Sequence, residues 1–148
     1  MKIGIAVAAV AGLAALGALY SLRAQSPSRS VWDGVYTEQQ AKRGGAFYGQ
    51  ECSACHGDSL TGADEAPALS GGAFLANWDG LTVGDLFERI RISMPANNPG
   101  KLNREKIADI LSYLLAFNRF PAGNTELERQ TEVLKQIRLE AAKPDQKK

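Results

Sequence analysis

One run of five residues restricts this chain more than any other feature: Cys52, Ser53, Ala54, Cys55 and His56 in direct succession. Two thiols separated by two residues, followed at once by an imidazole, form the attachment signature of a c-type haem. Each thiol adds across one vinyl group of the porphyrin, and the two-residue spacer sets their separation. His56 is then carried to one face of the iron, which takes imidazole as an axial ligand. The alternatives explain less. A structural zinc site uses about four Cys or His ligands, and the whole chain holds two cysteines and one histidine. A redox-active C-x-x-C opens a helix after a strand in a βαβ pattern, and no such pattern is present. A Cys52–Cys55 disulfide leaves His56 without a role. The expected cofactor is one haem c with its iron, covalent through Cys52 and Cys55.

The N-terminus decides where such a protein is made. Residues 3–20 are apolar or glycine throughout, behind Lys2. A charged start followed by an apolar stretch reads as a secretory signal, with Leu22-Arg23-Ala24 offering a cleavage site after Ala24. The apolar run is also at the threshold length of a spanning helix and longer than a usual signal core of about 7–15 residues. A retained anchor in the inner membrane is therefore the second reading. Both export residues 25–148, so the expected location is the periplasm. Loss of Lys2 and Arg23 leaves 15 basic and 16 acidic side chains, a net charge of −1. No basic patch points to nucleic acid, and membrane contact is expected only if the N-terminal segment is retained.

The remaining length suits one domain. Residues 25–30 are polar and read as a linker, and residues 31–36 (Val-Trp-Asp-Gly-Val-Tyr) are expected to lie extended against the domain. Thr37 and Gln40 form a capping box, so a helix should run over residues 38–51 and deliver Cys52. Its Gly44 and Gly45 cost about 1 kcal/mol each relative to alanine, which makes sense if another helix crosses closely. Residues 58–72 read as a loop rich in small residues and proline. His56 needs an acceptor for its second ring nitrogen. Pro67 is the candidate, with an ordinary turn proline as the equal alternative. Phe74, Leu75 and Trp78 are expected at the haem edge, where the donor-only indole of Trp78 could reach a propionate or simply fill core.

Thr82 to Asp85 reads as a second capped start, for a helix ending near Ser93. Asn103 caps a third, over residues 104–117, whose apolar face is Ile107, Ile110, Leu111, Leu114 and Leu115 with Tyr113 alongside. Residues 125–138 are partly amphipathic, a short helix or a surface wrap. Residues 141–148 are charged and expected to be disordered. No series of strands is evident.

Met94 is the candidate for the second axial position. It is the only methionine after Met1, it precedes Pro95 in a loop between helices, and it is remote enough from His56 to reach the opposite face. With no second histidine, intramolecular bis-His ligation is excluded; lysine or an open site are the other options. Thioether ligation closes both axial positions and raises the reduction potential, which suits one-electron transfer. No nucleophile–base pair or carboxylate pair argues for substrate chemistry, so the chain is not expected to be an enzyme.

Gly44, Tyr48, Cys52, Cys55, His56, Pro67, Leu69, Met94, Pro95 and Tyr113 together resemble the class I cytochrome c family. That resemblance covers about residues 37–117. It implies an all-α fold in which N- and C-terminal helices cross around one covalently bound haem, with long loops between. It also implies that the Pro67 carbonyl holds His56, and that Gly44 and Tyr48 meet Tyr113. The flanks, residues 31–37 and 120–137, look like those of small secreted cytochromes associated with quinoprotein (PQQ-dependent) dehydrogenases. The expected organisation is a signal or anchor at 1–24, an extension at 25–36, the haem domain at 37–120 and a second extension at 121–148. The expected role is a periplasmic electron carrier between redox protein partners, a dehydrogenase as donor and a terminal oxidase as acceptor. The alternatives are a haem enzyme or gas sensor in which Met94 dissociates, and a membrane-anchored haem subunit of a respiratory complex.

Overall fold

The computed structural model describes residues 27–64 and 66–144. The expected signal or anchor, residues 1–24, lies outside them. Helix α1 (Glu38–Glu51) begins where Thr37 Oγ1 accepts a hydrogen bond from the Gln40 amide at 3.1 Å. The reciprocal half of the expected capping box is not made. The Gln40 side chain is buried and bonds instead to the backbone of Leu127, donating to its carbonyl at 3.0 Å and accepting from its amide at 2.6 Å. A buried amide must satisfy both its ends, and a remote peptide group offers both at once.

α1 packs across α5 (Arg104–Phe117), which opens with Asn103 Oδ1 accepting from the Lys106 amide at 2.9 Å. The buried stripe of α5 is Ile107, Ile110, Leu111, Leu114 and Leu115. The two helices approach backbone to backbone: a Cβ at Gly44 would collide with the Asp109 carbonyl, and one at Gly45 would press on the Tyr113 ring. Glycine's cost in a helix is offset here by contact that no other residue allows. Arg43 braces the crossing with two 3.0 Å bonds to the buried Asp109 carboxylate, and Tyr48 meets Tyr113 with ring centroids 5.3 Å apart.

Between these helices lie α2 (Ser53–His56), α3 (Gly71–Trp78) and α4 (Val83–Ser93). α4 carries the complete capping box: Asp85 N–H donates to Thr82 Oγ1 at 3.1 Å, and Thr82 N–H donates to Asp85 Oδ2 at 2.9 Å. α3 is not evident in the sequence. It starts with two glycines, and Ser70 at its cap makes no side-chain capping bond, so neither propensity nor cap marks it.

The flanks differ from the sequence expectation. Residues 25–30 are not wholly linker, because β1 (Arg29–Ser30) pairs in parallel with β2 (Ile137–Arg138). Nor are residues 31–36 extended. Val31–Asp33 is one 3-10 turn, closed by Ser30 N–H donating to Asp33 Oδ2 at 2.7 Å. Trp32 donates its indole N–H to the Glu140 carbonyl at 2.9 Å and stacks edge-on against Phe120, with centroids 4.9 Å apart. Past α6 (Thr131–Leu134), the Ala141 amide donates to Asp79 Oδ1 at 2.8 Å, so the order of the C-terminal segment extends beyond the point where the tail was expected to begin. Val31, Val35, Tyr36, Leu127, Leu134, Ile137 and Leu139 join α1, α4 and α5 in one buried cluster.

Candidate haem site

The end of α1 shapes the attachment turn. Cys52 N–H closes the helix on the Tyr48 carbonyl at 2.9 Å, and the Cys55 and His56 amides both turn back to the Cys52 carbonyl at 3.1 and 2.9 Å. Gly57 then leaves with φ +74°, where the Tyr48 hydroxyl donates to its carbonyl at 2.7 Å. Cys52 is half-buried against the core and Cys55 is exposed; both are free thiols. Burial first, then the Glu51 carboxylate and Cys55, push the Cys52 thiol up to about 11.

His56 is buried, and its Nδ1 lies 2.9 Å from the Pro67 carbonyl oxygen. A carbonyl can only accept, so Nδ1 carries a proton, and in the neutral ring Nε2 is then the nitrogen with the lone pair. Nε2 has no partner among the described residues. The loop doubles back to make this bond possible. Gly62 N–H donates to the His56 carbonyl at 3.0 Å, and Gly62 itself has φ +77°. A Cβ at Gly62 would meet the backbone of Ala66, Pro67 and Ala68, so a side chain there would push the Pro67 carbonyl away from His56. Gly62 is thus a positioning residue that the sequence reading missed; a glycine five residues before the proline is its sole trace.

Phe74 is buried and Trp78 half-buried, with ring centroids 6.4 Å apart. Leu69, Leu75 and Ile90 are also only partly buried, packed on the same core. The indole N–H of Trp78 has no partner among the described residues, whereas that of Trp32 is satisfied. Met94 caps the end of α4 in extended backbone (φ −122°, ψ 150°) and is half-buried. Among the described residues no hydrogen bond joins Met94 to the His56 turn; what links the two segments is Lys101 Nζ to Glu51 Oε2 at 2.7 Å. The donor set fits a haem. An imidazole anchored through Nδ1, a single thioether, two thiols and a half-covered apolar wall are groups that could hold it. A separate polar groove of about 460 Å³, lined by Asn103, Arg104, Glu105, Arg129, Gln130 and Glu132, contains none of these residues.

The family model described as cytochrome c oxidase, cbb3-type, subunit III, matches residues 39–114. No curated protein matches the chain. Among solved structures, the sulfane dehydrogenase SoxCD from Paracoccus pantotrophus is similar at 23% identity with a TM-score of 0.48. That match covers 78% of this chain and 66% of the SoxCD chain. The family match spans just over half of the sequence, and the chain belongs to this family of mono-haem c-type cytochrome domains. It has the all-α cytochrome c fold, and membership implies electron transfer through haem iron.

Proposed function

We propose that this cytochrome domain is a periplasmic one-electron carrier, with haem c held by thioethers at Cys52 and Cys55 and its iron closed between His56 and Met94. The observation that supports the reading most is the bond from His56 Nδ1–H to the Pro67 carbonyl, because it fixes the ring and leaves Nε2 as the ligating atom. When bound, the haem supplies an Fe(III)/Fe(II) couple whose potential a thioether ligand raises. The chain's own residues do the positioning. Gly62 and Pro67 hold the imidazole, and Trp78 offers a free indole donor for a propionate. Met94 would supply the second ligand to the iron, so a small ligand would have to compete with it.

In this reading residues 1–24 direct export, residues 37–120 house the haem, and the segments 25–36 and 121–148 are extensions, parts of which brace it from behind. The donor is a dehydrogenase of the quinoprotein kind, on the resemblance of residues 31–37 and 120–137, and the acceptor a terminal oxidase. A second reading, a haem subunit fixed to a membrane complex by residues 3–20, is favoured by the oxidase-subunit description of the matched family.

Expression in a host that matures c-type haems tests both. The carrier reading expects haem staining on a denaturing gel, lost in Cys52→Ala/Cys55→Ala, and a soluble periplasmic protein starting near Gln25. Haem staining that survives the double substitution would overturn the attachment. A product that stays with the membrane and copurifies with an oxidase would replace the carrier by the fixed subunit.

A further inference from the structure

The segment that follows Met94 is lightly held. Residues 96–101 are exposed and Pro95 half-buried. Within residues 95–101 the backbone makes two turn bonds, Asn98 N–H to Pro95 O at 2.9 Å and Lys101 N–H to Asn98 O at 3.3 Å. Among the described residues, a single side-chain bond ties this loop to another element: Lys101 Nζ to Glu51 Oε2 at 2.7 Å. Glu51 is the last residue of α1 and the neighbour of Cys52. Its carboxylate is 12% exposed, while Lys101 is 48% exposed.

Glu51 is badly placed by itself. A carboxylate at a helix C-terminus faces the negative end of the helix dipole, the last turn of α1 contains no basic residue, and burial removes most of its water. Lys101 is the charge that offsets all three. The ion pair therefore joins the haem-attachment turn to the loop that begins at Met94, 50 residues away in sequence.

We propose that Glu51 and Lys101 form a latch that keeps Met94 on the iron, making both positioning residues for the sixth ligand. The inference rests on the Met94 ligation proposed above. Opening the latch removes the loop's one side-chain tie between Met94 and the buried Leu102 that leads into α5, so the segment that follows Met94 is held less closely to the attachment turn. A competing ligand should then displace the thioether more easily.

The test uses the ferric holoprotein titrated with imidazole, following loss of the sulfur-to-iron charge-transfer band. Lys101→Ala, which strands the Glu51 carboxylate, should raise imidazole affinity about fivefold, and Glu51→Gln about threefold, in line with the upper range for partly exposed ion pairs. Lys101→Arg should stay within about twofold of wild type, since it keeps the cation. Adding Lys101→Ala to Glu51→Gln should change little, because the pair is already broken. A pair that merely stabilised the fold would lower the unfolding temperature without moving the imidazole affinity. Affinities of Lys101→Ala and Glu51→Gln within twofold of wild type overturn the latch while leaving Met94 ligation intact. A wild-type protein without the charge-transfer band overturns both.

Discussion

The α1/α5 crossing and the loop after Met94 are held in opposite ways. At the crossing each group is fixed several times over. Gly44 touches the Asp109 backbone, Arg43 grips the same residue's carboxylate with two bonds, and Tyr48 both meets Tyr113 and bonds Gly57. The loop at residues 95–101 is exposed from Ala96 onward and has two turn bonds and one ion pair. His56 hangs from the first region and Met94 from the edge of the second. The lesson is that the two proposed axial ligands are not equally secured. Local opening draws on segments with few buried contacts, so ligand exchange belongs on the Met94 side while His56 stays fixed.

The contrast can be broken most forcefully at the crossing. Gly44→Val puts three carbons where the Asp109 carbonyl stands, and overpacking of a fitted interface should cost about 3 kcal/mol or more. Thermal unfolding of the holoprotein reads this directly, and an unfolding temperature within a degree or two of wild type would remove the close approach from the account.

A smaller effect is expected between α4 and α6, where Glu88 of α4 binds Arg91 and Thr131. The Arg91 guanidinium first, then the Thr131 hydroxyl, hold the Glu88 carboxyl at about 2 instead of its ordinary 4.5. A depressed folded-state value means the contribution is fully present above about pH 4.5 and is lost as pH falls through 2. Glu88→Gln should therefore lose less stability than wild type on acidification across that window. Denaturant midpoints at pH 6 and pH 3 measure it, and parallel losses in the two proteins would contradict the assignment. The smallest effect on global stability belongs to the loop. Lys101→Ala should change unfolding by no more than about 1 kcal/mol, as a half-exposed ion pair does, even as ligand exchange shifts. A loss as large as that of Gly44→Val would make the loop part of the rigid half.

What could be read from the chain follows the same division. α1, α4 and α5 were legible because Thr37, Thr82 and Asn103 announce their starts, and apolar spacing marks their buried faces. Those are local signals within a turn or two. The packing of residues 136–141 was not legible, because they are held by groups about a hundred residues away in sequence, such as Arg29 N–H on the Gln136 carbonyl and the Trp32 indole on the Glu140 carbonyl. Gln40 looked like half of a capping box, and its diversion to Leu127 depends on what is buried beside it. Within the site, the Cys52–His56 pattern is local chemistry and Met94 stood out by being alone. Pro67 was a candidate from its loop and family resemblance favoured it over an ordinary turn proline, whereas the Gly62 turn that presents it and the Glu51–Lys101 pair come from tertiary contact.

The central claim is the closed His56/Met94 pair, and one absorption spectrum of the ferric holoprotein beside its Met94→Ala variant tests it most directly. The wild-type protein should show a low-spin spectrum with the sulfur-to-iron charge-transfer band, absent from the variant, which should become high-spin or accept an added ligand. A wild-type protein that is five-coordinate, or that binds carbon monoxide on reduction as readily as the variant does, would contradict it.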